Sequence, residues 1–412
     1  MNPRQPWLWL FVCVNIIAAF IMLYSGELIG DLSGIKLYSQ SALVWATFLV
    51  VISYLFILGP AFNFISKIRF RSVNFRVNES DLGARIGRFL LALQILYIVF
   101  NLATGVNVAG SNNTKTDNPF AILWVLFPVD ALFIIYYGTY RDSKYFYPNL
   151  IVYVVSNILR GWGGIFFMII YFEWCRAIRN KKIFIGRIVL IGIAILASYP
   201  LLSNLKWVIR ASAGTKLSLG ALVDEIASNV GSTDYLMLMQ DGFTHLIGRL
   251  QTTSIMVEVI RLSNFLQAKF AAGEFAPFWK EGLHGIIFDR VFSGDKQQLI
   301  GVAFTKYEDF GFIYDIGDWN VSLGYPSWFF IAPFLSPVYV LYTLILGFIS
   351  FYLLKKIGMS LLSTDMLWYS WLVYLMAPWL LTFTGFIYAL FIFLIMKILL
   401  SRVSSARIFS SA

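Results

Sequence analysis

Residues Ala42 to Leu58 read ALVWATFLVVISYLFIL, an apolar run without a charged side chain. A helix of about 20 apolar residues crosses the ~30 Å hydrocarbon core of a membrane. Only 13% of the chain is charged, about half the share of a soluble domain. These features predict an all-α polytopic membrane protein with about eight full spans. The other spans are predicted at Trp7 to Tyr24, Phe89 to Ala109, Phe120 to Tyr140, Ile188 to Leu202, Trp328 to Leu354, Leu367 to Leu381 and Phe386 to Leu400.

The positive charge of the chain indicates orientation in a membrane. The formal net charge is +10, but the lysines and arginines collect in short loops between apolar runs, and such loops face the cytoplasm. Placing the most basic loop, Lys67 to Arg88, on that side puts both termini in the cytoplasm. We therefore expect the lipid bilayer as a partner and no nucleic acid.

The apolar segment at 150–174 does not fit a single crossing, which would carry the basic cluster after it to the outside. Two short helices, Leu150 to Leu159 and Ile165 to Trp174, keep that cluster inside if the chain turns between them. The sequence Arg160-Gly-Trp-Gly-Gly164 offers such a turn. The charge pattern therefore predicts a re-entrant hairpin with Arg160 at its apex, enclosed by protein or a water-filled cavity.

Residues 203–326 form the one long segment that does not read as membrane-embedded. They separate the N-terminal membrane helices (1–202, with the hairpin) from the C-terminal ones (327–412), and the topology places them outside the membrane. A loop of this length is usually functional. We expect a short helix at Leu217 to Ala227 and an amphipathic helix whose apolar face recurs at helical spacing. That face comprises Ile255, Val259, Leu262 and Leu266.

Three arginines are candidates for binding the phosphate groups of a phosphorylated, lipid-linked substrate. Arg160 is costly inside a membrane and is therefore a functional candidate, although it could also snorkel to the headgroups. Arg210 and Arg249 lie in the long loop, where their guanidinium groups match phosphate oxygens or simply contact solvent and lipid. Asp130 is a second intramembrane charge and a candidate partner for an arginine.

The long loop also holds residues suited to sugar chemistry. His245 and His284 could act as a general base on a sugar hydroxyl, because imidazole titrates near neutral pH; either could equally be structural. Asp318, Trp319 and Asn320 supply a carboxylate, an indole and an amide, which bind sugar hydroxyls and stack on sugar rings. The alternative for these three is a surface turn.

Motifs of other enzyme classes are absent from the sequence. There is no phosphate-binding Gly-x-x-x-x-Gly-Lys-Ser/Thr loop, no Gly-x-Ser-x-Gly and no His-Glu-x-x-His, so an ATP-driven enzyme, a serine hydrolase and a zinc protease have no support. Cys13 and Cys175 both lie outside the long loop, which excludes a disulfide or cysteine-zinc framework there. We expect neither a metal nor a cofactor.

With these residues in view, the chain resembles the bacterial O-antigen polymerases, the Wzy-type oligosaccharide repeat-unit polymerases. The resemblance covers the whole chain in topology, with many short-looped spans and one large external loop. The interval of eleven residues from Arg290 to Gly301 fits a signature of some members, whereas Arg210 and Arg249 have no glycine at that interval. The other matching stretches are Asn157-Ile-Leu-Arg-Gly161, Ile209-Arg210, Gly248-Arg-Leu-Gln251, Pro277-Phe-Trp-Lys-Glu-Gly-Leu-His284 and Gly317-Asp-Trp-Asn320.

The resemblance implies a metal-independent, inverting glycosyltransferase with a GT-C-like fold in the bacterial inner membrane. Such an enzyme moves the growing glycan from undecaprenyl pyrophosphate to the non-reducing end of a new lipid-linked repeat unit at the periplasmic face. Arg249, Arg210 and His245 would then be catalytic. Arg160, His284, Arg290 and the Asp318 to Asn320 set would bind substrate, and a chain-length-determining membrane protein is a candidate partner.

Three other functions fit parts of the same pattern. A sensory or structural membrane protein is one of them, but it gives no reason for an arginine inside the membrane at Arg160. An O-antigen ligase uses the same lipid-linked donor and a similar architecture, but it joins the glycan to lipid A-core. A lipid-linked oligosaccharide flippase is a transporter, and it is expected to have two related halves without a large external loop. The lopsided distribution of spans in this chain favours the polymerase.

Overall fold

The computed structural model describes residues 2–70, 78–105, 120–180, 246–288, 298–306, 321–377 and 379–410, together with the single positions 186, 189, 190, 193, 242 and 244. The predicted helix at 217–227 and nearly all of the predicted span at 188–202 lie outside these residues. The described part of the chain contains no β-strand, and isolated bridges join Glu27 to Lys36 and Phe275 to Gln298.

The described helices follow one another through a single bundle. They are α1 Gln5–Ser25, α2 Gln40–Phe56, α3 Phe62–Lys67, α4 Glu79–Thr104, α5 Ala121–Leu126, α6 Val129–Tyr140, α7 Phe146–Leu159, α8 Gly164–Asn180, α9 Thr253–Arg261, α10 Ser263–Ala271, α11 Leu283–Phe288, α12 Ile300–Lys306, α13 Trp328–Ile331, α14 Ser336–Ile357, α15 Leu361–Ser370 and α16 Leu380–Ser410. A π-helical turn, Ile57–Ala61, joins α2 to α3.

Local sequence accounts for several helix ends. Ser39 caps α2 by accepting a hydrogen bond from the Ala42 amide at 3.1 Å, and Asn78 caps α4 through the Ser80 amide at 3.0 Å. Short polar side chains at this position satisfy amides that the first helical turn leaves unpaired. Helices α1 and α4 both end at a glycine in the left-handed region, Gly26 (φ 71°) and Gly105 (φ 68°), where other residues are strained.

Six stretches of the described residues are long and apolar enough to cross a membrane. They confirm the predicted class, an all-α polytopic membrane protein. The span predicted at 367–381 is instead seen as α15 followed by a π-helical turn, Trp371–Leu375, so this helix begins at Leu361, before the predicted boundary. The six stretches are Gln5–Ser25, Gln40–Lys67, Glu79–Thr104, Ala121–Tyr140, Pro333–Ile357 and Leu380–Ser401.

Ion pairs join several helix ends at one end of the bundle, here called the cationic end. The buried Asp365 accepts hydrogen bonds from Arg4 at 2.7 Å and from Arg179 at 2.5 Å. Lys397 lies 2.9 Å from Glu79. These contacts place four helix ends at the same end of the bundle: the start of α1, the start of α4, the end of α8 and the start of α15. This is the arrangement expected when successive membrane helices run in opposite directions. The opposite end, here called the distal end, contains the last turns of α1 and α4 and the first turn of α16.

The predicted hairpin is present. Helices α7 and α8 are separated by a turn in which Gly161 has a positive φ of 72°. The far ends of both helices meet the same residue: the Arg141 guanidinium lies 3.9 Å from the ring centre of Phe146 and 2.8 Å from the Glu173 carboxylate. Because Phe146 starts α7 and Glu173 lies late in α8, the chain returns to the side from which it came, with Arg160 at the turn.

The helix predicted at 255–266 lies much deeper than expected. It is divided into α9 and α10 at Leu262, and every residue of α9 from Thr253 to Val259 is buried. The Thr252 amide and the Thr253 hydroxyl donate to the Asn15 side-chain oxygen at 3.0 and 2.8 Å. Asn15 is the middle residue of α1. The long loop at 203–326, from here on called the insert, therefore reaches about halfway along a membrane-length helix at this point. The predicted apolar face is present and largely buried, with Ile255, Val259 and Leu266 in the core. The expectation that this part of the chain lies outside the membrane helices is wrong for α9.

Candidate functional site

The apex of the hairpin holds a buried ion pair. The two terminal nitrogens of Arg160 donate to the two oxygens of Asp130, each at 2.8 Å, and one of them also donates to the Tyr97 hydroxyl at 3.2 Å. Asp130 lies in the first turn of α6 and Tyr97 lies in the distal half of α4. The prediction that Asp130 pairs with an arginine is confirmed. The pair makes both charges tolerable at membrane depth.

The ion pair has one accessible side. The Arg160 side chain is only 3% exposed, whereas the Asp130 side chain is 28% exposed. The guanidinium also lies 5.1 Å from the ring of Trp162, which is half exposed. Four of the five Arg160 N–H groups donate hydrogen bonds to described residues, so an anionic ligand would bind the guanidinium through its fifth N–H or by replacing Asp130.

Arg249 lies on a tightly docked part of the insert. The preceding Gly248 touches Gly30, and a Cβ added to Gly248 would lie 2.6 Å from the Gly30 Cα. This close approach explains the glycine of the Gly248-Arg-Leu-Gln251 stretch. Arg249 forms an ion pair with Asp31 at 3.3 Å, and its side chain is 41% exposed. It is therefore accessible to a solute.

His284 is the second residue of the short helix α11 and is exposed. Its Nε2 atom lies 3.3 Å from the Tyr342 hydroxyl. The neighbouring Leu283 amide donates to the Thr384 hydroxyl at 2.7 Å, which attaches this helix to the second turn of α16. His284 therefore lies on the distal end of the bundle.

The structure gives these predicted residues separate partners. Arg160 contacts Asp130, Arg249 contacts Asp31, and His284 contacts Tyr342. Within the described residues, no hydrogen bond or ion pair joins the three to one another. Their convergence on one substrate stays a prediction. The remaining predicted site residues lie outside the described residues: Arg210, His245, Arg290, Asp318, Trp319 and Asn320.

A cavity of about 300 Å³ lies between the insert and the first turn of α16. Glu281 is the acidic residue in its wall. The wall is otherwise mainly apolar, with the indole rings of Trp328 and Trp379. The remaining residues that line it are Leu299, Ile300, Gly301, Val321, Leu323, Leu380, Leu381 and Thr382.

Glu281 is buried without a cationic partner among the described residues. It is 5% exposed, and its Oε1 atom accepts a hydrogen bond from the Ile300 amide at 2.9 Å. Burial penalises the charged form of a carboxyl group, and it raises the pKa of Glu281 to about 8, against the smaller, opposing effect of that hydrogen bond. A carboxyl group with such a pKa can both take up and release a proton near neutral pH.

The indole of Trp328 forms part of the wall of the same cavity. Trp328 is 1% exposed, and its Nε1 atom is one of several buried side-chain polar atoms without a hydrogen-bond partner among the described residues. Because Nε1 itself has almost no accessible surface, the indole lines the cavity as an apolar wall. The cavity therefore offers an acid–base group, Glu281, to a polar ligand.

Sequence reasoning did not single out Glu281 or Trp328. Glu281 follows Lys280 in a polar segment, a pattern typical of a solvated pair of charges. The aromatic residues before it, Phe278 and Trp279, were a signal that this segment packs against the bundle. Nothing in the sequence around Glu281 indicates that the amide of Ile300, nineteen residues later, donates a hydrogen bond to its carboxyl group.

The fold and these sites define a polytopic helical membrane protein with polar sites at the distal end of its bundle. Comparisons with models of known protein families, with curated protein sequences and with solved structures find no match to this chain. Among the described residues, no three His, Cys, Asp or Glu side chains are grouped as metal ligands.

Proposed function

We propose that the chain is a membrane-embedded glycosyltransferase that polymerises lipid-linked oligosaccharide repeat units. It would transfer the growing glycan from undecaprenyl pyrophosphate to the non-reducing end of a new lipid-linked repeat at the periplasmic face of a bacterial inner membrane. In this orientation the cationic end and both termini face the cytoplasm, as positively charged loops do. The distal end then faces the periplasm.

The position of the cavity is the observation that carries this proposal. Leu380 and Leu381 in its wall start α16, and Lys397 of the same helix lies at the cationic end. At 1.5 Å per residue, the cavity is roughly 25 Å from that end. The rest of its wall comes mostly from the insert, together with Trp328 and Trp379. A lipid-linked sugar needs a binding site at this depth, because its lipid tail stays in the bilayer while the sugar carbon that reacts lies at the membrane surface.

The arginines support the same function through the leaving group. Transfer leaves negative charge on the pyrophosphate, and fixed positive groups that meet this charge are usually the largest source of rate enhancement in such sites. Arg249 is exposed at the distal end, and Arg160 would exchange Asp130 for a phosphate oxygen. Arg210 and Arg290 are further candidates for this role.

Several residues of the insert are candidates for binding and activating the sugar. His245 and His284 are proposed to accept a proton from the acceptor hydroxyl or to bind it. Asp318, Trp319 and Asn320 are proposed to contact sugar hydroxyls and a sugar ring. A separate chain-length-determining protein would be a partner of the polymerase.

A gel of lipopolysaccharide tests the proposed function. A strain deleted for this chain should carry core with a single repeat unit, and complementation should restore the ladder of longer chains. If the deletion instead removes all glycan from the core while carrier-linked polymer accumulates, the chain is a ligase. In the complemented strain, Arg249→Ala should shorten or abolish the ladder, and an unchanged ladder would remove Arg249 from the proposed mechanism.

A further inference from the structure

We propose that Glu281 is the acid–base residue for an acceptor sugar whose hydroxyl group binds in the cavity beside Trp328. This inference rests on the proposed function and assigns the proton transfer to Glu281, which leaves His245 and His284 the role of binding the acceptor hydroxyl. Its basis is a set of three features in one cavity: a buried carboxyl group with one oxygen left for a ligand, the aromatic wall of Trp328 and the exposed ring of Trp379.

The carboxyl group is held so that one oxygen is left for a ligand. Its Oε1 atom accepts the hydrogen bond from Ile300, and no other hydrogen bond to the carboxyl group comes from the described residues. Ile300 and Glu281 both line the cavity. A buried carboxyl group that served only to hold the fold would be expected to have a cation or several donors around it. This arrangement suits a group whose partner arrives with the substrate.

The two tryptophans of the cavity fit the chemistry of a sugar. The indole of Trp328 gives the cavity an aromatic wall, against which a sugar ring can pack while its hydroxyl donates a proton to Glu281. Trp379 is 42% exposed and can cover the apolar face of a sugar ring at the open side. Apolar walls with a few placed polar groups are typical of small-molecule sites.

The proposed step balances in atoms and charge. The ionised Glu281 takes the proton from the acceptor hydroxyl as that oxygen forms a bond to the anomeric carbon of the donor glycan. The bond from that carbon to the pyrophosphate oxygen breaks, and its electron pair leaves with the pyrophosphate. Glu281 then returns the proton to water. No oxidant, reductant or metal is required.

The decisive experiment measures polymerisation in membranes, with carrier-linked repeat units extracted from the deletion strain as the substrate. Glu281→Gln keeps the shape and an oxygen acceptor for Ile300 but cannot take up the proton, so the rate should fall about 10²- to 10⁴-fold. Glu281→Asp should keep part of the activity. Glu274→Gln is the matched control, because Glu274 is an exposed glutamate of the same insert that pairs with Lys269; it should leave the rate unchanged.

The pH profile separates a chemical role from a structural one. Because the ionised form is the base, kcat/KM of the wild-type enzyme should rise about tenfold per pH unit below the pKa of Glu281 and level off above it. Trp328→Phe should raise KM more than it lowers kcat.

Two outcomes separate the role of Glu281 from the proposed function. If the wild-type chain polymerises and Glu281→Gln does so at the same rate with the same pH profile, the role of Glu281 is wrong while the proposed polymerase activity stands. If the wild-type chain itself forms no polymer, the proposed function fails.

A chemical label tests binding even if Glu281→Gln does not fold. A hydrophobic carbodiimide reacts with protonated, buried carboxyl groups, so it should modify Glu281 of the wild-type protein at pH 7, as read by mass spectrometry of the peptide. The extracted repeat units should protect Glu281 from the reagent. Labelling that is unaffected by the repeat units would overturn the assignment of the cavity to the acceptor.

Discussion

At the scale of single residues, the Arg160–Asp130 pair combines two charges that would each be costly alone. The contact is bidentate, and the arginine is almost completely buried. Removing one partner of a buried pair leaves an uncompensated charge and costs about 3–5 kcal/mol. Asp130→Asn and Arg160→Met should therefore each lower the thermal stability of the detergent-solubilised protein strongly.

The double variant, Asp130→Asn with Arg160→Met, should lose less stability than the sum of the two single variants, because no unpaired charge is left. The exposed pair of Lys269 and Glu274 is the control. Replacing either of its members should change the stability by no more than about 1 kcal/mol. Strictly additive losses at Arg160 and Asp130 would show that their ion pair does not stabilise the protein.

Glu281 makes the stability of the protein depend on pH. Burial raises its pKa from 4.5 to about 8, so between these values the folded state holds a proton that the unfolded state has released. The free energy of unfolding should therefore decrease as the pH rises from about 5 to about 8, by on the order of 1 kcal/mol per unit. Thermal unfolding of wild-type protein and Glu281→Gln across this range checks the prediction, since the variant should lack this decrease.

At the scale of elements, the insert is attached to the bundle by close backbone contact. Gly248 packs on Gly30, so a methyl group at Gly248 meets backbone that cannot move aside cheaply. Gly248→Ala should lower the stability by about 1–3 kcal/mol and should displace Arg249 from Asp31. Gly385→Ala in α16 is the control, because a Cβ there meets nothing within 4 Å; it should be close to neutral. Equal effects of the two substitutions would contradict a tight contact at Gly248.

The same elements show what a sequence can predict. The hairpin of α7 and α8 was predictable because local features determine it: apolar runs too short for two spans, glycines between them and a basic cluster that must stay on one side. The depth of α9 was not predictable from the sequence, because it depends on contact with Asn15, more than 200 residues earlier in the chain. The Thr252-Thr-Ser254 stretch has the composition of an external loop. Its place inside the bundle follows only from the hydrogen bonds to Asn15 that the structure shows.

At the scale of the whole molecule, charge and cavity occupy opposite ends of one bundle. Basic clusters indicated the cationic end from the sequence, because each lies next to an apolar run. The cavity was not predictable, since its wall joins Glu281, Val321 and Leu380, which come from separate parts of the chain. Arg249 and His284 were identified as candidates by residue type, but their different partners follow from packing that no short motif specifies.

The opposite placement of the two ends can be tested by labelling single cysteines. In a background of Cys13→Ala and Cys175→Ala, Met359→Cys lies between α14 and α15 at the cationic end, and Glu274→Cys lies in the insert; both positions are exposed. A membrane-impermeant maleimide should modify Glu274→Cys in intact spheroplasts and Met359→Cys only in inverted vesicles. Modification of both from the same side would contradict the path of α14 and α16 across the membrane, and reversed sides would place the cavity in the cytoplasm, where a lipid-linked repeat has not yet been flipped.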